Sequence, residues 1–248
     1  MQNTADRNAK ERCSDCPIRH RAVCTYCGDD ELAQLEALKF YRNYAPGQEI
    51  VAAGEQSEFL GSVVEGVVSL SKTMSDGRRQ MVGLMFASDF IGRPMRQSSP
   101  YDAVAVTPVR LCLFQKRRFE ALMIKTPALE KRLLEMMLDE LDAARDWMLL
   151  LGRKTAREKI ATFLMILARR AAHAAGARAE DGFQFELPIT REAIADYLGL
   201  TIETVSRQFT SLRKDGTISM TGSRQCRVPD FIALLDAAGE DSDGGLLS

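Results

Sequence analysis

The chain has 248 residues, of which 46% are hydrophobic, and its formal net charge is −1. This composition predicts packed domains. The near-zero charge excludes a protein that coats nucleic acid with a basic surface, so any such contact must come from a local patch. No apolar run reaches the roughly 18 residues of a membrane span, and the polar N-terminus lacks the apolar stretch of a signal peptide. We therefore expect a cytoplasmic protein without membrane contact, whose cysteines stay reduced.

The first 30 residues are polar and contain four of the six cysteines. These four have the spacing C-x2-C-x7-C-x2-C and are Cys13, Cys16, Cys24 and Cys27. Four thiolates in a short segment are typical of a tetrahedral zinc site or of an iron–sulfur cluster, and the spacing alone does not distinguish the two. His20 lies among them and is interpreted as a solvent-exposed loop residue.

A short amphipathic helix is predicted at about residues 30–40, and the pattern then changes. Between residues 44 and 118, short runs of alternating apolar residues are punctuated by glycines, and the runs SVVEGVVSLSK and RRQMVGLMF are joined by the turn TMSDG. Alternation with a period of two and regular turn glycines indicates β-strands and hairpins. We therefore predict a small all-β barrel or sandwich in this part of the chain.

A long helix is predicted from Pro127 to Leu151. Its apolar residues step by three and four, as in the a/d seam of a coiled coil; they are Leu134, Met137, Leu141, Ala144, Met148 and Leu151. An amphipathic helix lying on its own domain would also show an apolar stripe. We favour a dimer interface because the seam stays regular over about two and a half heptads.

Residues 190–214 carry the pattern of a helix-turn-helix. Thr190 and Thr201 can each cap a helix, Ala195 is small where two helices cross, and Gly199 supplies the tight turn between them. The outward face of the second helix presents four polar side chains, which are Glu203, Ser206, Arg207 and Thr210.

These polar side chains suit the major groove of DNA. Arginine pairs bidentately with guanine, a carboxylate accepts from the cytosine amino group, and a serine hydroxyl serves several bases. Segment 201–228 also holds five basic and two acidic residues, a local net charge of +3 in a chain that is nearly neutral. We therefore predict DNA contacts from Thr201, Glu203, Ser206, Arg207 and Arg213.

The stretch APGQEIVAAGEQSEFLGSVVEGVVSLSK resembles the β-roll of the cyclic-AMP receptor / fumarate-nitrate reduction regulator (Crp/Fnr) family. The order of roll, long helix and winged helix is similar to that family too, so the resemblance covers nearly the whole chain. It implies an α+β fold with an N-terminal β-roll of the cyclic-nucleotide-binding type, a dimerisation helix and a C-terminal winged helix-turn-helix. The implied segments are a cysteine-rich cluster-binding loop at 1–30, the roll as sensor domain at 31–125, the dimerisation helix at 126–153 and the DNA-binding domain at 154–248.

Within that family, LTIETVSRQFTSL is similar to the recognition helix of the Fnr (anaerobic, iron–sulfur) branch. The resemblance implies that Glu203, Ser206 and Arg207 read a TTGAT-like half-site and that a homodimer binds the palindrome. It also implies an activator that contacts RNA polymerase. The turn around Gly77 is a candidate for that contact, although an ordinary hairpin turn is the simpler interpretation.

The region ASDFIGRPMRQSSPYDAVAV lacks the phosphate-binding run of nucleotide-binding members, so we do not expect cyclic-nucleotide binding.

The same branch binds an oxygen-labile [4Fe–4S] cluster through three N-terminal cysteines and one from the roll. By resemblance, Cys13, Cys16 and Cys24 match the C-x2-C-x7-C form of one subgroup, and Cys112 occupies the place of the fourth ligand. Taken alone, Cys112 would be read as a small buried core residue. Cys27 departs from the family pattern and could substitute for Cys24.

Strand alternation adds a prediction for Cys112 that does not depend on the resemblance. In RLCLF, a period of two puts Cys112 on the strand face opposite to Leu111 and Leu113.

The resemblance therefore implies an oxygen-responsive regulator in which an intact cluster promotes dimerisation and operator binding at low oxygen. Two alternatives keep DNA binding: a zinc-stabilised or thiol-redox module without an iron–sulfur cluster, and a roll that binds a metabolite. An enzyme is disfavoured, because the chain has only two histidines and no phosphate-binding loop or Ser/His/Asp grouping.

Overall fold

In the computed structural model, which describes residues 12–239, the predicted α+β fold is confirmed. A roll of strands comes first, a long helix follows, and a helix-turn-helix with a small sheet comes last. Residues 1–11 and 240–248, which belong to the first and last predicted segments, lie outside the described residues. The chain divides into two units with the boundary after Asp139. Among the described residues, no helix is both long and apolar enough to cross a membrane.

The described chain begins with a turn-rich segment, residues 12–28, which we call the cysteine loop. It contains one turn of 3₁₀ helix at Cys13–Asp15 and then a series of tight turns. Helix α1 (Asp29–Leu38) follows, with three acidic residues in its first turn, where the helix dipole favours negative charge. It buries Leu32 and Leu35 on one face.

Eight strands build the roll, and all their pairings are antiparallel. One sheet has the order β1-β8-β3-β6 and the other the order β2-β7-β4-β5. The strands are β1 (Lys39–Tyr44), β2 (Glu49–Val51), β3 (Phe59–Glu65), β4 (Val68–Thr73), β5 (Arg79–Met85), β6 (Phe90–Ile91), β7 (Asp102–Ala105) and β8 (Val109–Gln115).

Strand β8 is buried on both faces and belongs to two hydrophobic cores. Leu111 and Leu113 point into the core between the two sheets, together with residues of β4 and β7. Cys112 and Phe114 point to the other side, where the cysteine loop, α1 and the following helices cover the sheet. The alternation predicted for Cys112 is therefore observed.

Two helices follow the roll, α2 (Lys116–Met123) and the long α3 (Pro127–Arg153). The first two turns of α3 bury Leu129 and Leu133 in the core that contains the cysteine loop. A different face of α3 leaves large apolar side chains exposed: Leu134, Met137, Leu138, Leu141, Met148 and Leu149. Four of these six are predicted seam residues, and Leu138 and Leu149 widen the exposed stripe.

The second unit packs three helices and a small sheet around α4 (Ala156–Ala174). Thr155 caps α4, and the Glu158 carboxylate accepts a hydrogen bond from the Thr155 amide at 2.7 Å, which completes a capping box. The remaining elements are β9 (Phe183–Glu186), α5 (Arg191–Leu198), α6 (Ile202–Lys214), β10 (Ser219–Thr221), β11 (Gln225–Val228) and α7 (Phe231–Ala238).

Candidate cysteine site and nucleic-acid interface

Four cysteines line one cavity beneath the cysteine loop. Three of them, Cys13, Cys16 and Cys24, come from the loop, and Cys112 comes from β8. The rest of the lining is mainly apolar and includes Ile18, Val23, Leu35 and Phe114. Two of the chain's six cysteines are not among the lining residues: Cys27, buried in the adjoining core, and Cys226, in β11.

Cys13 is held at two points by the elements that follow the loop. Its backbone amide donates to the Glu36 carboxylate of α1 at 2.8 Å. The Lys39 ammonium, at the start of β1, donates to the Cys13 sulfur at 3.4 Å. The same ammonium lies 5.4 Å from the centre of the Tyr41 ring, whose side chain also lines the cavity.

Arg19 fixes the second half of the cysteine loop. Its guanidinium donates to the backbone carbonyls of Cys24 at 2.6 Å, Thr25 at 2.8 Å and Cys27 at 2.7 Å. One planar side chain therefore satisfies three carbonyls in a segment without regular secondary structure, where buried polar groups need partners. This arrangement orients the backbone that carries Cys24.

Burial favours the neutral thiol form of Cys13, Cys24, Cys27 and Cys112 when no metal is bound. Burial raises the pKa of Cys24 to about 11 and that of Cys27 to about 11. Burial also raises the pKa of Cys13, although Lys39 opposes that shift. The pKa of Cys112 lies far above its usual range, first because the thiol is buried and then because Cys16 and Cys13 lie near it. Metal binding here would release protons, since a thiolate is the ligand.

The potential metal ligands of the site are four cysteine sulfurs, which are soft donors, and the four cysteines line one cavity. In the described part of the chain, no three His, Cys, Asp or Glu side chains converge closely enough to hold one metal ion. Ser62, which is 2% exposed, also lines the cavity, and its hydroxyl has no hydrogen-bond partner among the described residues.

The cysteine loop contacts α3 through polar as well as apolar groups. The Arg132 guanidinium donates to the backbone carbonyl of Arg21 at 2.9 Å and pairs with Glu135 at 3.5 Å. The Glu135 carboxylate accepts a hydrogen bond from the Tyr26 hydroxyl, which raises the pKa of Tyr26. The Arg132 guanidinium also lies 5.9 Å from the centre of the Tyr26 ring.

The helix-turn-helix is formed by α5 and α6. Gly199 adopts a left-handed conformation with φ of 62°, which ends α5 and turns the chain. Thr201 then caps α6, its hydroxyl accepting from the Thr204 amide at 3.2 Å. Val205 and Phe209 are buried against the unit, so the opposite face of α6 points to solvent.

The exposed face of α6 carries the residues that sequence reasoning assigned to DNA. Glu203, Ser206, Arg207 and Arg213 are all exposed. The pKa of Glu203 is held below its usual range by its own backbone amide and the Thr201 hydroxyl, so this side chain is an ionised acceptor at neutral pH.

The site residues that sequence reasoning missed are the ones that support the cysteines and α6. Lys39, Glu36 and Arg132 act on the cysteine loop from elsewhere in the chain. Arg157 does the same for α6, because its guanidinium donates to Ser211 at 3.1 Å near the end of that helix. Their sequence neighbourhoods carry no motif that would have singled them out.

The fold and the helix-turn-helix define a DNA-binding transcription regulator, and the comparisons agree. Residues 158–237 match the family model of the Crp-like helix-turn-helix domain. Residues 41–126 match that of the cyclic nucleotide-binding domain, which describes the fold of the roll. The chain belongs to the Crp/Fnr family of transcription regulators.

The chain is similar to named regulators along most of its length. It is 57% identical to the transcriptional activator protein FnrL of Cereibacter sphaeroides, with 95% of each chain covered. It is 38% identical to the nitrogen fixation regulation protein FixK of Bradyrhizobium diazoefficiens, with 91% of each chain covered. The solved structure of FixK2 from Bradyrhizobium japonicum has a TM-score of 0.73 and 32% identity, and the match covers 83% of this chain and 98% of that one. These relatives confirm the prediction of a regulator and not an enzyme.

Proposed function

We propose that the chain is an oxygen-responsive transcription activator of the cytoplasm in which four cysteines hold a [4Fe–4S] cluster. The observation that carries the proposal is the shared cavity, which brings Cys112 of the roll together with Cys13, Cys16 and Cys24 of the cysteine loop. Because Cys27 does not line that cavity, the structure favours Cys24 as the third loop ligand.

The residues present suit such a group. Thiolates are the ligands that iron–sulfur clusters use. Four sulfurs around a space fit a centre with several metal atoms, whereas a single zinc ion needs its ligands about 2.3 Å from one point. The unpartnered Ser62 hydroxyl gives the cavity wall a hydrogen-bond donor. When bound, the cluster would supply an oxygen-sensitive centre to which loop and roll are both attached.

The contacts of Arg132 form a physical link between the cysteine loop and α3, which carries the proposed dimer interface. With about 3.6 residues per turn, Arg132 and Glu135 share the side of α3 that packs on the loop. Leu134, which is 60% exposed, lies about 200° around the helix axis from Arg132 and therefore on the opposite side. An ordered loop therefore holds one side of α3 and leaves the apolar stripe outward for a second copy of the chain.

The dimer is the DNA-binding species in this proposal. One recognition helix reads one half-site, so two copies are needed for a palindrome such as a pair of TTGAT-like half-sites. Glu203, Ser206 and Arg207 would contact base edges, and Thr201 and Arg213 would contact the backbone or flanking bases. The hairpin turn around Gly77 is exposed and is a candidate surface for a contact with RNA polymerase.

Anaerobic purification tests the proposal directly. We expect iron and acid-labile sulfide in about equal amounts, with visible absorption and tight operator binding that air abolishes. Cys112→Ser is expected to remove the iron and sulfide, whereas Cys27→Ser, a matched buried cysteine beside the site, is expected to retain them. Bound zinc without sulfide would support the zinc alternative. A colourless protein whose operator binding ignores oxygen but responds to thiol oxidants would support the thiol-redox alternative.

A further inference from the structure

Ser62 of β3 is a buried serine whose position at the cysteine cavity distinguishes it from the other buried serines of the roll. It is 2% exposed, its hydroxyl has no hydrogen-bond partner among the described residues, and it lines the cavity that holds the four cysteines. A buried hydroxyl without a partner costs stability. An acceptor that becomes available in another state of the protein would remove that cost.

The register of the sheet points to Cys112 as the acceptor. Ser62 of β3 lies directly opposite Cys112 of β8. Directly opposed residues of an antiparallel pair project to the same face with their Cβ atoms about 4.5–5.5 Å apart. Among the four cysteines that line the cavity, Cys112 is therefore the one that pairs directly with Ser62 in the sheet.

The strength of a hydrogen bond from Ser62 to Cys112 depends on the charge of the sulfur. A neutral thiol is a weak acceptor. A thiolate that ligates a metal carries negative charge, and hydrogen bonds to ionised acceptors are roughly twice as strong as neutral ones. The Ser62 hydroxyl thus acquires a strong acceptor only when Cys112 is a ligand.

We propose that Ser62 is a positioning residue that donates a hydrogen bond to the Cys112 sulfur when the cysteines hold the cluster, and so sets how readily the cluster is oxidised. This inference rests on the proposed function. A donor to a ligating sulfur stabilises the more electron-rich state and raises the reduction potential, since hydrogen bonds to the sulfurs are one of its determinants. Loss of the donor makes the centre easier to oxidise.

A pair of buried serines allows a matched test. Ser71 of β4 is 0% exposed and also lacks a hydrogen-bond partner among the described residues, but it does not line the cavity. In the metal-free protein, Ser62→Ala and Ser71→Ala are each expected to raise the midpoint of thermal unfolding by about 2 °C, because each removes an unsatisfied buried hydroxyl. The shared gain shows that both variants fold.

The anaerobically loaded protein then separates the two serines. Both variants are expected to retain the iron and sulfide of the unsubstituted protein. Only Ser62→Ala is expected to shift the Fe–S stretching bands in resonance Raman spectra, lower the reduction potential and shorten the lifetime of the visible absorption in air by about twofold or more.

The experiment distinguishes failure of the role of Ser62 from failure of the proposed function. If the unsubstituted protein holds iron and sulfide and Ser62→Ala matches Ser71→Ala in spectrum, potential and lifetime, the role of Ser62 is overturned and the proposed function stands. If the unsubstituted protein holds no iron and sulfide, the proposed function fails and the inference about Ser62 fails with it.

Discussion

The Lys39 ammonium lies 3.4 Å from the Cys13 sulfur, and the two residues join the start of the roll to the start of the cysteine loop. A cation that donates a hydrogen bond favours the thiolate over the thiol. Lys39 therefore lowers the cost of using a buried Cys13 as a ligand, a cost that burial otherwise raises.

Substitution of Lys39 tests that contact. Lys39→Met removes the charge and the donor while keeping an unbranched side chain, and we expect iron loss to a chelator to become about tenfold faster, a typical effect of losing a group that supports a metal ligand. The rate of iron release from anaerobically loaded protein is the measurement. Lys39→Arg keeps a cationic donor and should stay close to the original rate; equal release rates for Lys39→Met and the unsubstituted protein would contradict the prediction.

Gly61 controls the position of Cys112 from the neighbouring strand. A Cβ built on Gly61 would overlap the backbone carbonyl of Cys112, so β3 and β8 approach each other more closely there than any other side chain allows. Gly61→Ala is expected to displace β8, to destabilise the roll by about 1–3 kcal/mol and to lower the iron content. Gly83→Ala is the matched strand control, because its Cβ would meet Leu70 only at ordinary contact distance. Denaturant unfolding and iron analysis report the two effects.

A charged residue in the exposed apolar stripe of α3 is expected to prevent dimerisation. Met148 is 65% exposed in the single chain, so Met148→Glu should leave the fold intact while placing two like charges in an apolar interface. We expect sedimentation velocity on the anaerobically loaded protein to show a monomer and operator affinity to fall by at least about tenfold, since each half-site is then bound singly. Met74→Glu, at a hairpin residue that is 54% exposed, is the control. A Met148→Glu protein that still forms dimers would place the interface elsewhere.

Substitution of Arg132 is expected to weaken dimerisation without changing cluster loading. Arg132→Ala removes the bond to the Arg21 carbonyl and the ion pair with Glu135 but none of the cysteines. We expect normal iron and sulfide, faster tryptic cleavage within the cysteine loop, and a dimer weaker by about tenfold, given the strength of hydrogen bonds to charged groups. Arg78→Ala, which removes an exposed ion pair with Asp76, should change none of the three. An Arg132→Ala protein that dimerises normally would rule out coupling through this residue.

Arg207 and Arg213 are expected to differ in how they affect DNA binding. Arg207→Ala should cost about 1–3 kcal/mol at one guanine position and relax the preference for that base. Arg213→Ala should weaken binding to all sequences alike and reduce the salt dependence, as expected for a phosphate contact. Binding assays with a set of single-base operator variants at two salt concentrations distinguish the two patterns. Uniform losses for both variants would remove Arg207 from base recognition.

Sequence patterns predicted the features that depend on local periodicity. The helix-turn-helix followed from Thr201, Gly199 and the polar face of α6, and the face of Cys112 followed from strand alternation. The choice between Cys24 and Cys27 did not follow, because both belong to the same C-x2-C pair and differ only in which way the turns of the loop direct them. Lys39 and Ser62 were missed for a related reason: their contacts join residues far apart in the chain and depend on sheet register.

The two buried faces of β8 limit which residue type can occupy position 112. A histidine or carboxylate there would have to bury a polar or charged group whenever the site is unloaded, and such burial is costly without partners. A neutral thiol instead packs like a small apolar side chain. Cysteine is thus the metal-ligating residue that also serves as a core residue, and the roll is expected to stay folded in the absence of metal. If the site holds the proposed cluster, its loss and rebuilding would form a cycle that one polypeptide can repeat without unfolding between rounds.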